Sequence, residues 1–301
     1  MIKDVAAPLA AAIAPFFDLA QPSDVVDRLL ERDYLADTAL ATAIFLALKL
    51  GKPLLLEGPH GVGKTEAARA IAAITNRAVV RLQCYEGIDA SQALYEWNYA
   101  RQLLALRQAG DKSIDLYNAD FLIERPLLKV LRAPGDRLLL IDEVDRSDHE
   151  FEAFLLEFLS DFQISIPEIG TQRAISTPIV IMTSNRTREL HEALRRRCIY
   201  HWIAYPDAER EAEIILRRAG EIVRGTAEAT ARAVRQLRSQ SLSKPPGIVE
   251  AIEWAQAATL LKSHSGWPEA FRRAIGVVIK DEEDLEAIEP HLETILRDAC
   301  Q

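Results

Sequence analysis

Short runs of consecutive apolar residues, separated by amphipathic stretches, recur along this sequence. Helical periodicity separates the runs, for example at 65–74, at about 91–107 and at 188–194. Parallel sheets are buried on both faces, so their strands are near-continuous apolar runs. The pattern therefore predicts an α/β fold with a five-stranded parallel sheet, its strands at 54–57, 78–82, 137–141, 179–185 and 199–203.

Two helical regions flank this alternating part. Residues 1–50 predict three helices, the first with Val5, Leu9 and Ile13 at near-helical spacing and the last ended by Gly51. After Pro206 no strand pattern recurs, and helices are predicted at 208–219, 226–239, 247–263 and 285–299. We therefore expect an α/β domain over residues 1–205 and a small all-α domain over residues 206–301.

The segment after the first predicted strand has the spacing G-x-x-x-x-G-K-T. Its residues are Gly58, Pro59, His60, Gly61, Val62, Gly63, Lys64 and Thr65. In such a loop the glycines let backbone N–H groups converge on an anion, Lys64 reaches the β- and γ-phosphates, and the Thr65 hydroxyl holds Mg²⁺. The helix that follows adds a favourable dipole. These residues predict a binding site for a nucleotide such as ATP, with Mg²⁺.

Polar residues end the third and fourth predicted strands. Asp142 is well placed to hold Mg²⁺ through water, and Glu143 to polarise the attacking water as a general base. Two adjacent acids are otherwise typical of a solvated turn, but the apolar strand before them and the upstream loop favour a functional role. Asn185 can orient the water or contact the γ-phosphate, although an asparagine here is commonly just a turn residue.

Three consecutive arginines precede the fifth predicted strand. Such a run is usually a solvated basic face. Because Arg195, Arg196 and Arg197 follow a predicted helix at 188–194, one guanidinium can also reach a neighbouring subunit's γ-phosphate as an arginine finger. Arg197 is the first choice for this role, and Arg196 the second.

Two segments between the third and fourth strands have clear local patterns. Ser147 to Glu150 predicts a capping box at the start of a helix whose apolar face packs in the core. Residues 163–166 and 174–177 predict the two arms of a hairpin. The hairpin could be a pore element or an ordinary surface feature.

Aromatic residues are concentrated between the second and third strands. Tyr95, Trp97 and Tyr99 lie at alternate positions of the predicted helix at 91–107, so they cannot all share one helical face. They either pack helices onto the sheet or offer an exposed surface to a partner.

Composition limits the possible functions. The net charge of −9 disfavours broad nucleic-acid binding, although a local basic patch stays possible. No apolar run approaches the length of a membrane span, and the acid in Met1 to Asp4 disfavours a secretory signal. The three cysteines have no C-x-x-C spacing, which fits a reducing compartment. We expect a cytoplasmic protein without a transmembrane segment.

These motifs together resemble the AAA+ ATPases of the MoxR type over nearly the whole chain. The shared features are the phosphate loop, the acids Asp142 and Glu143, Asn185, the arginines before the fifth strand and a C-terminal helical lid. Residues 81–87, 95–99 and 200–203 are similar to the branch associated with maturation of the molybdenum–copper carbon-monoxide dehydrogenase. Many AAA+ lids carry an arginine where this chain has Lys244 to Gly247, so Lys244 is only a weak substitute.

The resemblance implies a P-loop NTPase AAA+ core followed by a small all-α C-terminal lid. It further implies an ATP hydrolase that forms hexameric rings, works with a partner containing a von Willebrand factor A domain, and remodels or activates a client metalloenzyme. Two alternatives stay open: a DNA-directed AAA+ motor, and a nucleotide-gated scaffold with little turnover. Net charge disfavours the first, and Glu143 argues against the second.

Overall fold

The computed structural model describes residues 19–109, 114–133, 135, 137–262 and 266–300. The helix predicted around Val5 to Ile13 lies outside these ranges. The chain forms two compact units. The first contains the residues up to Arg32, Ala36–Glu57 and Thr65–Trp202, and the second contains Asp33–Leu35, Gly58–Lys64 and the residues from Ile203 onward.

Strands and helices alternate along the described residues up to Trp202, and helices follow. The strands are β1 (Leu54–Glu57), β2 (Ala78–Gln83), β3 (Tyr95–Trp97), β4 (Leu122–Glu124), β5 (Arg137–Asp142), β6 (Gln163–Ile166), β7 (Gly170–Arg173), β8 (Ile179–Ser184) and β9 (Ile199–Trp202). The helices are α1 (Pro22–Leu30), α2 (Thr38–Leu50), α3 (Lys64–Ile74), α4 (Ala90–Leu94), α5 (Tyr99–Ala109), α6 (Pro126–Leu131), α7 (His149–Asp161), α8 (Glu192–Arg197), α9 (Ala208–Arg218), α10 (Arg224–Arg238), α11 (Ile248–Leu261), α12 (Gly266–Arg273), α13 (Ile275–Val278) and α14 (Glu282–Ala299).

The predicted five-stranded parallel sheet is confirmed, with strand order β2-β5-β8-β1-β9. Strand β1 is buried throughout, as its apolar sequence predicts. Strand β2 lies at the sheet edge, so of its residues only Leu82 is fully buried. Because Gln83 pairs with Asp142 and Ile141 with Met182, the carboxyl ends of β2, β5 and β8 lie side by side.

The helix predicted at 91–107 is wrong in its middle. Helix α4 ends at Leu94, β3 follows, and α5 begins at Tyr99. Strand β3 pairs antiparallel with β4, which lies more than 20 residues further along the chain. The aromatic residues of β3 favour a strand once that partner is present, and a local helical pattern contains no information about the partner.

Helix α7 begins where predicted, but with a different cap. The side chain of Asp148 accepts a hydrogen bond from Phe151 N at 2.8 Å and is the N-cap. Ser147 instead donates to Val144 O at 2.8 Å, because a 3₁₀ turn at Val144–Arg146 precedes the helix. The hairpin after α7 is confirmed, although its second arm, β7, begins four residues before the predicted arm.

The helix predicted at 188–194 is displaced along the chain. Helix α8 begins after His191, whose ring accepts from Ala193 N at 3.2 Å, and it continues to Arg197. Arg188 lies before the helix, paired with the fully buried Glu152. The three arginines therefore form the last turn of α8, where positive side chains interact favourably with the helix dipole.

In the second unit the described residues from Ile203 onward form no strand, and helices α9 to α14 pack around Trp254. Trp254 is fully buried, and its indole N–H donates to Phe271 O at 3.1 Å. Helices α12 and α13 were not predicted, because Gly266 and Pro268 indicated a break. The structure instead has both residues in the first turn of α12, where proline is tolerated.

None of the helices in the described ranges has both the length and the apolar character that crossing a bilayer requires.

Candidate nucleotide site

The phosphate loop, Gly58–Lys64, connects β1 to α3 and belongs to the second unit. Gly61 and Gly63 have φ values of +73° and +89°, which residues other than glycine rarely adopt. Lys64 is buried, and its ammonium donates to the carbonyl oxygens of Gly58 at 2.7 Å and Pro59 at 2.6 Å. The Lys64 ammonium is thus held on the concave side of the loop backbone, an arrangement that fits phosphate groups.

Residues far along the chain support this loop within the second unit. Ile248 N donates to Gly61 O at 2.8 Å, and the Tyr205 hydroxyl donates to His60 O at 3.0 Å. A Cβ atom on Gly61 would lie 2.5 Å from Gly247 Cα, so this approach requires a glycine. Sequence reasoning missed this support, because no local pattern relates the loop to the start of α11.

A buried ion pair lies next to the same support. Arg238 donates to both carboxylate oxygens of Glu211 at 2.8 and 2.7 Å, and its Nε donates to Pro246 O at 2.7 Å. Its guanidinium also lies 4.1 Å from the centre of the Tyr205 ring. Burial raises the pKa of Glu211, and the contacts with Arg238 oppose that rise. Lys244, the weak substitute for a lid arginine, is instead an exposed side chain paired with Asp281 at 2.8 Å.

In the first unit, the predicted metal ligands Thr65 and Asp142 meet directly. The Thr65 hydroxyl donates to Asp142 Oδ1 at 3.1 Å, and Asp142 as a whole residue is only 2% exposed. Oδ1 also accepts from the Thr183 hydroxyl at 2.5 Å. A hydroxyl and a carboxylate side by side are hard oxygen ligands of the kind that Mg²⁺ prefers, so these residues fit the metal.

A positive side chain that was not predicted also contacts Asp142. Arg81 on β2 donates to Oδ2 from Nε at 2.9 Å and from Nη2 at 2.5 Å. The polar residues Arg81 and Gln83 lie two positions apart on an edge strand, and therefore on one face. That spacing indicates a shared face, but the residue that they contact depends on the pairing of β2 with β5.

Glu143 directly follows the sheet in a left-handed conformation, with φ of +56°. Its backbone N–H donates to Thr183 Oγ1 at 2.9 Å. Its carboxylate accepts from Gln83 Nε2 at 3.1 Å and from Arg146 Nη1 at 3.2 Å. A non-glycine residue in this region costs about 1 kcal/mol, so the turn fixes the direction in which the carboxylate leaves β5.

Asn185 follows β8, the neighbour of β5 in the sheet. Its backbone N–H donates to Asp145 Oδ1 at 3.2 Å, and Thr187 donates to Oδ2 from its N–H at 2.8 Å and its hydroxyl at 2.7 Å. Asp145 is 1% exposed. The buried Asp145 carboxylate thus links the turn that contains Asn185, by hydrogen bonds, to the segment just after Glu143.

The candidate finger residues are exposed on α8. Arg196 pairs with Glu192 at 2.5 Å, and both side chains are about three-quarters exposed. Arg197 donates to Ser160 Oγ at 3.0 Å and to Ala193 O at 3.2 Å. Within the described part of one chain their contacts are therefore to α7 and α8 and not to Asp142 or Glu143.

The cysteines pack as neutral thiols. Cys84, next to the site, is fully buried, and burial raises the pKa of its thiol to about 12, with a further contribution from the charge of Asp142. Burial likewise raises the pKa of Cys198 to about 12. The described residues contain no cluster of three His, Cys, Asp or Glu side chains able to hold a metal.

Comparison with known proteins agrees with this geometry. The model of the AAA domain (dynein-related subfamily) matches residues 53–198. Among curated protein sequences, none matches this chain.

Several solved structures are similar in fold. A mutant form of RuvB from Thermotoga maritima superposes with a TM-score of 0.50 at 19% identity, covering 82% of this chain and 70% of that one. The RuvB Holliday junction branch migration motor of the same organism gives 0.49 at 19% identity, over 86% and 71%. A protein from Cytophaga hutchinsonii described as an ATPase gives 0.47 at 18% identity, over 91% and 93%. At these identities only the fold is compared.

The parallel sheet, with a phosphate loop after β1 and the acids Asp142 and Glu143 at the end of β5, defines the chain as an α/β P-loop NTPase. More narrowly, its fold is that of the AAA+ core, and the AAA domain model matches residues 53–198 of it. That fold generally implies nucleotide binding and ATP hydrolysis.

Proposed function

We propose that this chain is a Mg²⁺-dependent ATPase whose hydrolysis cycle does work on a protein. The contact between Thr65 and Asp142, at 3.1 Å, is the observation that carries the proposal. It joins the first turn of α3 to the end of β5, where Glu143 follows. The phosphate-binding residues and the metal ligand Thr65 thus lie together at residues 58–65 of the chain. The second metal ligand, Asp142, and the general base, Glu143, are adjacent further along it.

In this proposal the loop residues bind the phosphates of ATP. Lys64 exchanges its hydrogen bonds with Gly58 and Pro59 for bonds with phosphate oxygens, at little cost because its ammonium is already buried. Thr65 and Asp142 hold Mg²⁺, which when bound neutralises charge on the phosphate oxygens.

Glu143 accepts a proton from the attacking water while the oxygen of that water bonds to the γ-phosphorus. The bond to the bridging oxygen breaks, and ADP leaves as the other product. Gln83 and Arg146 orient the Glu143 carboxylate by donating hydrogen bonds to it. Asn185 orients the water from the neighbouring strand end.

Completion of the site by a neighbouring subunit is part of the proposal. AAA+ proteins commonly form hexameric rings, and Arg197 or Arg196 would enter the adjacent subunit's site. Support comes from the exposed position of both guanidinium groups on α8. A side chain that serves a neighbour has to be exposed in the isolated chain.

A protein client is supported by an exposed apolar face on α5. Tyr99, Leu103 and Leu106 lie at i, i+4 and i+7 and are 64%, 61% and 45% exposed. Contiguous exposed apolar residues of this kind are typical of protein-binding surfaces. Together with the MoxR-type resemblance, this face supports the proposal that the client is a metalloenzyme, specifically carbon-monoxide dehydrogenase. The resemblance also supports a partner protein with a von Willebrand factor A domain.

The experiment pairs hydrolysis with capture. The purified chain should hydrolyse ATP with Mg²⁺ and not without it. A Glu143→Gln form, which should hold ATP, should co-purify from its native cells with a client that a Lys64→Ala control does not retain. Absence of Mg²⁺-dependent hydrolysis would contradict the enzymatic proposal, and identical co-purifying proteins in both variants would contradict the client proposal.

A further inference from the structure

Arg81 forms an ion pair with the carboxylate that is proposed to hold the metal. Both Nε and Nη2 of its guanidinium donate to Asp142 Oδ2, at 2.9 and 2.5 Å. The two side chains differ in their surroundings: that of Asp142 is 3% exposed, whereas that of Arg81 is 49% exposed on the edge strand β2. A cation from the surface thus reaches a carboxylate inside the protein.

The hydrogen bonds to Asp142 leave it no free acceptor position. An ionised carboxylate offers about four lone-pair sites. Thr65 and Thr183 use Oδ1, and the two Arg81 donors use Oδ2, which also lies 3.4 Å from the Thr65 hydroxyl. A metal ion bound to this carboxylate must therefore replace a donor.

Of these donors, Arg81 is the one able to leave. Thr183 is 1% exposed, and its Oγ1 is also held by the hydrogen bond that it accepts from Glu143 N at 2.9 Å. Thr65 is itself a proposed metal ligand. The half-exposed guanidinium of Arg81 can move into water at little cost. A buried carboxylate without any partner is costly, so the exchange of one cation for another keeps Asp142 neutralised.

We propose that Arg81 is a displaceable counter-ion, which neutralises Asp142 before metal loading and is expelled when Mg²⁺ binds with the nucleotide. This inference rests on the ATPase function proposed above. It makes Arg81 a competitor of the metal, because each Mg²⁺ that binds has to break the Arg81–Asp142 pair.

Displacement of Arg81 also affects Glu143, the proposed general base. Nη2 of Arg81 donates to Gln83 Oε1, and Gln83 Nε2 donates to Glu143 at 3.1 Å. When Arg81 leaves, the Gln83 amide loses the donor to its Oε1 and keeps the longer contacts of its Nε2 with Cys84 O at 3.4 Å and Asp142 O at 3.5 Å. Metal loading at Asp142 therefore removes one of the contacts that orient the amide next to the Glu143 carboxylate.

The test measures metal affinity rather than turnover. Mn²⁺, which is visible by electron paramagnetic resonance, is titrated into protein saturated with adenylyl imidodiphosphate. Arg81→Met should lower the apparent Kd for Mn²⁺ about three- to tenfold, since the competing pair is gone. Arg81→Lys, which keeps the charge but loses the fork, should lower it less. Arg125→Met, which removes an equal charge from the exposed pair with Glu96, should match the wild type.

An unchanged or raised Kd in Arg81→Met overturns the inference. If Arg81→Met does not fold, Arg81→Lys decides, and an unchanged Kd there overturns it as well. Wild-type protein that binds neither the analogue nor Mn²⁺ overturns the ATPase proposal and this inference with it. Wild-type protein that binds both, with Kd unaffected by either Arg81 variant, overturns the inference alone.

Discussion

The hydroxyl of Thr65 donates to Asp142 Oδ1 across 3.1 Å, joining residues 77 positions apart in the chain. Thr65 stands in the first turn of α3, and Asp142 is the last residue of β5. A parallel sheet brings the end of one strand beside the helix that follows another, and ligands of α/β proteins bind at that edge.

Removing this hydroxyl should weaken metal binding. Thr65→Val keeps the shape of the side chain but loses the oxygen, so the Mg²⁺ concentration needed for half-maximal ATP turnover should rise about tenfold or more. Thr65→Ser, which keeps the hydroxyl, is the matched control and should stay near the wild type. Equal Mg²⁺ requirements in Thr65→Val and Thr65→Ser would remove Thr65 from the metal site.

The exposed arginine Arg197 should act only between subunits. Arg197→Ala and Lys64→Ala proteins should each be inactive alone, the first for lack of a finger and the second for lack of nucleotide binding. Mixed together they should regain part of the ATPase activity, because an intact loop can meet an intact finger. Arg196→Ala is the control and should be active alone. If it is instead inactive alone and regains activity when mixed with Lys64→Ala, the finger is Arg196. No recovery in either mixture would contradict a finger supplied in trans.

The aromatic residues after α4 should separate into two classes. Trp97 is 6% exposed and packs edge-on against Tyr95 and Tyr117, whereas Tyr99 is 64% exposed. Trp97→Ala should lower the free energy of unfolding by about 3 to 5 kcal/mol. Tyr99→Ala should change it by less than about 0.5 kcal/mol and should weaken client binding. Urea denaturation measures the first effect, and comparable stability losses in both variants would disprove the division.

Stability should fall in mildly acidic solution because of His201. Burial lowers the pKa of this half-buried side chain, against a smaller opposing attraction from Asp37. A histidine with a lowered folded-state pKa binds its proton more readily when unfolded. Its contribution to stability is therefore present above about pH 6.5, the unfolded value, and is lost as the pH falls through the folded-state pKa. His201→Gln should flatten the dependence of the thermal midpoint on pH in that window, and an unaltered slope would contradict this assignment.

Much of the fold follows from local sequence. The three inner strands β1, β5 and β8 are mostly apolar runs that are buried nearly throughout. Gly51 ends α2 with a φ of +62°, as its position predicts. Segments whose structure depends on a distant partner were predicted less well. Tyr95 to Trp97 becomes a strand only because residues 122–124 pair with it.

The candidate site divides in the same way. Lys64, Thr65, Asp142 and Glu143 have characteristic spacings and can be identified from the sequence alone. The partners that hold them cannot, because their positions depend on sheet register. Arg81 reaches Asp142 only because β2 pairs with β5 so that Gln83 lies opposite Asp142. The approach of Gly247 to Gly61 likewise depends on the packing of the second unit.

The most direct test of the account compares nucleotide binding and turnover in two variants. Glu143→Gln should bind ATP with nearly wild-type affinity and lose about 10² to 10⁴ in turnover, because a general base acts only along the reaction path. Lys64→Ala should lose binding itself, because Lys64 contacts the phosphates in the ground state. Calorimetric titration with ATP and a phosphate-release assay on both proteins give the two quantities. Wild-type turnover in Glu143→Gln would contradict the central claim that this chain hydrolyses ATP with Glu143 as its base.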